Sequence, residues 1–93
     1  MRMYHINFLP FGNGVDGVRA EYNFDNGFGA SIVKTEYSYG GKEGLYEIAV
    51  LDSTGNLTYE TSVTSDVIGH LSLKEVMIKL EEIERLQKTV DEV

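Results

Sequence analysis

At Ser72 the apolar spacing of this chain changes, and that switch restricts the fold more than any other feature. Before it, apolar residues alternate with polar ones; after it, Leu73, Val76, Met77, Leu80, Ile83, Leu86 and Val90 recur at intervals of three and four. The first pattern is that of half-buried strands and the second that of one face of a helix. Ser72-Leu73-Lys74-Glu75 marks the boundary as a capping box, in which the Ser and Glu side chains satisfy each other's free amides. Glu75–Lys79, Glu81–Arg85 and Glu84–Lys88 then fall as i,i+4 pairs on the wet side. A helix over about 73–90 follows, and its apolar stripe needs a sheet to cover.

The strands are read from alternation and from turn residues. Met3 to Leu9 sets Tyr4, Ile6 and Phe8 against His5 and Asn7, and Pro10 is expected to end that ladder. Phe11 to Gly17 is then a loop. Val18 to Phe24 alternates again, and Asp25-Asn26-Gly27 is a hairpin signal. The return strand runs from Phe28 to about Tyr37. Gly29 and Ala30 leave its start bare for close approach, and Ile32 and Val33 point to opposite faces, as in a central strand. Ser38 to Gly44 is a loop, Leu45 to Leu51 an interior strand, Asp52 to Asn56 a turn, and Leu57 to Val63 a last strand. The expected architecture is a single α+β domain over 1–93. An antiparallel sheet of about five strands (about 3–63) packs under one long C-terminal helix.

With 93 residues the chain has room for one core. It contains no cysteine, which rules out disulfide and thiolate chemistry and fits the cytoplasm. The stretch MRMYHINFLPF lacks the apolar run of a secretion signal, and no run approaches a membrane span. Fifteen acidic residues against eight basic give a net charge of −7. That balance disfavours direct binding to nucleic acid or to an anionic membrane. Solubility is the plain account of it. The sharper account is a nucleic-acid mimic, which requires Asp16, Glu21, Asp25, Glu36, Glu43 and Glu60 to gather on one face.

No catalytic, cofactor or metal set emerges. His5 and His70 have no ligand-type neighbours at useful spacing, so a meeting with Asp66 in space is what an active site would need. GGKEG around Lys42 lacks the spacing and the following helix of a phosphate loop. Asp52 to Asn56 lacks the distal Glu of a calcium loop. Glu47, on an apolar strand, calls for Lys34 or Arg19 as a partner if buried. The strand tyrosines are read as cross-strand packing. Tyr37, Tyr39, Lys42 and Glu43, with Glu36 and Asp25, are the candidate partner-binding residues, since Tyr serves interfaces well. Leu80, Ile83, Leu86 and Val90 are the candidate seam of a homodimer, because twenty helical residues span ~30 Å and would overhang the sheet.

The order of motifs FDNGFGASIV, then YSYGGKEGLYEIAVLDSTGNLTYET, then TSDVIGHLSLKEVMIKLEEIERL resembles a set of small bacteriophage and prophage proteins of no established activity. The resemblance covers about two thirds of the chain, from Phe24 onward, and departs where Ser62-Val63 replaces a proline of the set. It carries over no catalytic residue. It implies a non-enzymatic accessory protein in the host cytoplasm that acts by protein–protein binding. One form is an acidic, anti-CRISPR-like inhibitor of a host defence nuclease; the alternative is a small virion structural or assembly protein.

Overall fold

The computed structural model describes residues 2–61, 63 and 67–86. Five strands, β1 (Leu9–Gly12), β2 (Val15–Asn23), β3 (Gly29–Thr35), β4 (Tyr46–Leu51) and β5 (Ile68–Leu71), form one antiparallel sheet in the order β1-β2-β3-β4-β5. One helix, α1 (Leu73–Glu84), packs on it, which makes the domain α+β with β3 central as its two-faced pattern requires. Ser72 caps α1 through both bonds of the capping box, with its hydroxyl accepting from the Glu75 N–H at 3.2 Å.

Two strands differ from the sequence expectation. Residues 3–8 belong to no strand; the first ladder begins at Leu9, includes Pro10, and turns at Asn13-Gly14. The alternation of Tyr4, Ile6 and Phe8 reports burial against the core rather than strand pairing. Among the described residues, the segment after the Asp52–Asn56 turn forms no strand and meets the sheet through a bridge from Leu57 to Leu51 and a bond from the Thr58 N–H to the Val50 carbonyl at 2.9 Å. The fifth strand is instead Ile68–Leu71, a stretch read as a lead into the helix, and Ser62 and residues 64–66 lie outside the described residues. The helix stops at Glu84, short of 90, and Val90 lies outside the described residues as well.

The end of the helix is met by the turn that joins β2 to β3. The turn between β2 and β3 is a three-residue loop: Phe24 donates to the Phe28 carbonyl at 2.8 Å, Gly27 donates to Phe24, and Gly27 takes a φ of 91°. Asn26 fixes this turn by accepting from the Phe28 N–H at 2.9 Å. Its amide nitrogen then reaches α1 and donates to the carbonyls of Ile83, Glu84 and Leu86 at 2.9, 3.1 and 2.9 Å. Ile83 and Glu84 close the last turn of α1, and the Ile83 carbonyl also accepts from the Leu86 N–H at 3.1 Å. Asn26→Ala should cost about 1–3 kcal/mol by removing the donor these carbonyls share. Asn26→Asp should cost more, since it swaps the donor for a negative charge beside the negative helix end. Chemical denaturation of the three proteins checks the order Asn above Ala above Asp.

The core lies between the sheet and two covering elements. Ala30, Ile32, Ile48 and Val50 face Val76, Met77, Leu80 and Ile83 of α1. Beside the helix runs the extended segment 2–8, whose Tyr4, Ile6 and Phe8 insert into the same core. Tyr4 meets Tyr22 and Phe24 edge-on at 5.6 and 5.8 Å, and Phe8 meets Tyr46 at 5.5 Å. The N–H of Tyr4 donates to the Met77 Sδ at 3.3 Å, and Arg2 pairs with Glu84 at 2.9 Å.

Tyr4 also donates its hydroxyl to Glu84. Burial first, then that bond and the Glu84 charge, push its pKa up to about 12. Raised above the ordinary tyrosine value near 10, Tyr4 holds its proton in the native state after the unfolded chain has lost it. Its contribution is therefore whole below pH ~10 and is lost as pH rises toward ~12. Melting curves over pH 9–12 should show the gap between wild type and Tyr4→Phe closing as pH rises.

Candidate functional site

At the end of the sheet where β3 stops and β4 starts, residues 36–45 form a loop held by short-range bonds and by one bond from β5. Thr35 is buried, and its Oγ1 accepts from the N–H groups of Tyr37 and Ser38, both at 3.1 Å. Ser38 Oγ accepts from the Thr35 N–H at 2.9 Å and donates to the Thr35 carbonyl at 3.0 Å. A 3-10 turn at Gly41–Glu43 follows, with Gly40 and Gly44 on either side at φ 88° and 78°. Tyr39 is clamped on both sides: its N–H donates to Glu47 at 3.0 Å, and its carbonyl accepts from the His70 N–H at 3.0 Å. Glu47 is only half-buried, so the burial that would call for Lys34 or Arg19 is not met, and its carboxylate serves the loop backbone.

The close approach explains the glycines. A Cβ on Gly41 would stand 1.6 Å from the Thr35 carbonyl oxygen, and one on Gly69 would stand 2.2 Å from the Cβ of Tyr39. Ordinary side chains have no room at either place. Against this loop β5 bulges, with His70 at φ 58°. A non-glycine residue there is uncommon, though His tolerates it better than most. The His70 Nε2 lies 3.6 Å from Glu43, and both side chains are largely exposed.

What the loop presents is two tyrosines. Tyr37 is 77% exposed and Tyr39 62%, whereas Tyr4 retains only 7%. Next to them is a cleft of about 350 Å³, lined by Asp16, Lys34, Glu36 and Lys42 among others. The Lys34 ammonium sits 4.9 Å from the centre of the Tyr46 ring. The structure brings Tyr37, Tyr39, Lys42, Glu43 and Glu36 to this one end. Asp25 is not with them: it lies in the β2–β3 turn, at the opposite end of β3. His70 joins the cluster through β5, a pairing that no local signal in the sequence marks. His5 is exposed on the segment 2–8, and Asp66 lies outside the described residues.

The proposed dimer seam also changes character. Leu80 and Ile83 are fully buried against the sheet and have no surface for a second chain, and Leu86 is partly buried on the same core. Five of the six acids do not gather in one place: Asp16, Glu36 and Glu43 stand at the loop end, Asp25 stands at the other, and Glu21 pairs with Ser31 on the sheet face away from Ile32 and the helix. Among the described residues, no group of three His, Cys, Asp or Glu side chains could hold a metal ion, and no helix is long and apolar enough to cross a membrane.

Fold and site together define a two-layer α+β domain that carries a rigid tyrosine loop at one end. Compared with protein-family models, curated proteins and solved structures, the chain matches none.

Proposed function

We propose that this is a non-enzymatic phage accessory protein that acts by binding another protein through the 36–45 loop. The observation that carries the reading is the contrast inside that loop. Its backbone is pinned by Thr35, Ser38, Glu47 and His70, yet Tyr37 and Tyr39 are held out in solvent. Tyrosine has only two side-chain torsions to order on binding, and on a pinned backbone it supplies large amphipathic area at low entropic cost. The phage context is supported by the motif order alone. Inhibition of a host defence protein falls within this mode of action, but the scattered acids withdraw support from a form that mimics nucleic acid with one acidic face. The loop's contact takes its place.

The test is affinity capture from the lysate of a bacterial host, with wild type, Tyr37→Ala/Tyr39→Ala and Glu21→Gln/Glu60→Gln as baits. Both tyrosines are exposed, so the first variant should melt within a few degrees of wild type. The expected result is one protein retained by wild type and by the glutamine variant and lost, by at least about tenfold, from the alanine variant. Equal retention by all three baits would place binding elsewhere. Recovery of the chain's own copies or of virion proteins would favour an assembly role.

A further inference from the structure

Residues 2–8 are bound to the rest of the domain in the way a peptide is bound in a groove. They form no part of the sheet, and the N–H groups of Arg2 and Tyr4 go to helix side chains, Glu81 Oε1 at 3.2 Å and Met77 Sδ at 3.3 Å. Every second side chain, Tyr4, Ile6 and Phe8, enters the space beside α1. Arg2 stacks 5.4 Å from the Tyr4 ring and pairs with Glu84, which also accepts from the Tyr4 hydroxyl. The ladder begins only at Leu9, so this strap can leave without breaking a strand pair.

From this we infer that the strap is exchangeable, and that its groove accepts residues 2–8 of a second copy of the chain. The groove is already complementary to this one segment, so exchange rebuilds every contact described above in both copies. The pivot is Leu9-Pro10: proline holds the residue before it extended, and β1 remains paired to β2 on either side of the exchange. Exchange of an identical element between copies is a low-cost route to a dimer. It is also a route the helix stripe does not provide, since Leu80 and Ile83 are spent on the core. A strap on a short tether competes with an effective concentration of about millimolar, so the exchanged dimer grows as the protein approaches that range.

The chain has no cysteine, which makes disulfide trapping clean. Arg2→Cys and Glu81→Cys are made singly and together in the full chain, with Lys74→Cys as an exposed control on the helix. The double variant should close an intrachain bond at low concentration. Equimolar Arg2→Cys and Glu81→Cys, mixed under a thiol–disulfide buffer, should yield a covalent heterodimer several-fold above the Arg2→Cys with Lys74→Cys background. That excess should rise with total protein, as should the mass of wild type by light scattering. A heterodimer yield equal to background up to about 1 mM would overturn exchange. Failure of the double variant to close would remove the docked strap and the proposal with it.

Discussion

Leu80→Ala is expected to lower the unfolding free energy by about 2–5 kcal/mol, the range for truncating a buried leucine in a core that cannot fully collapse. Leu80 is fully buried between the helix and the Ile32, Ile48 and Val50 surface of the sheet. A domain of this length holds only about 5–14 kcal/mol in all, so one side chain removes a large share of it. Urea denaturation measures the loss as a lower midpoint with an unchanged slope. The size of the effect also distinguishes this packing from a dimer seam. An interfacial Leu80 would make the loss depend on protein concentration; a core Leu80 makes it independent.

Gly41→Ala is the second large effect, and it falls on the loop. The new methyl would meet the Thr35 carbonyl oxygen at 1.6 Å and the Ser38 hydroxyl at 2.7 Å. The first of these is backbone at the end of the central strand and cannot swing aside. The loop must lift, which breaks the Thr35–Ser38 bonds and frees Tyr39 from Glu47 and His70. Such overpacking costs about 1–3 kcal/mol, and here the strained backbone should put the loss at or above the upper end. Because the damage is local, amide exchange should accelerate over residues 35–47 and at His70 while α1 stays protected. Uniform acceleration across the domain would mean that the loop and the core unfold as one unit.

The parts of the fold that were legible in the sequence are those fixed by near neighbours. The Ser72 box sets the start of α1, alternation sets β2, the Asn26-Gly27 turn returns the chain as β3, and a nearly unbroken apolar run sets β4. The parts that were not legible are fixed by distant residues. Tyr4, Ile6 and Phe8 alternate as a strand does, but the helix and Tyr22, not a ladder, take up that face. Ile68–Leu71 is four residues long and contains a glycine, and Tyr39 pins its bulge from thirty residues away. Leu57 to Val63 alternates in sequence, yet its described residues meet β4 only at Leu57 and Thr58. The apolar stripe continues in sequence past Glu84, yet Asn26, from the turn between β2 and β3, meets the helix end there.

The candidate site divides in the same way. Tyr37, Tyr39, Lys42 and Glu43 share a loop whose glycines and exposed aromatics are visible in order along the chain. His70 and Asp16 join that end only through strand pairing, and Asp25 leaves it for the same reason. The glycines proved to be architecture of a particular kind. Gly41 and Gly69 have no room for a side chain, and the closeness they permit is what holds the tyrosines outward.

The central claim is that the tyrosine loop, rather than a field of carboxylates, makes the contact. Its most direct test is the dissociation constant of the captured partner, measured for wild type and Tyr37→Ala/Tyr39→Ala at low and high salt. The account predicts a constant raised at least about tenfold by the double substitution, with a shallow salt dependence in both proteins. A constant indifferent to the tyrosines and rising steeply with salt would contradict it and return the acidic surface to first place.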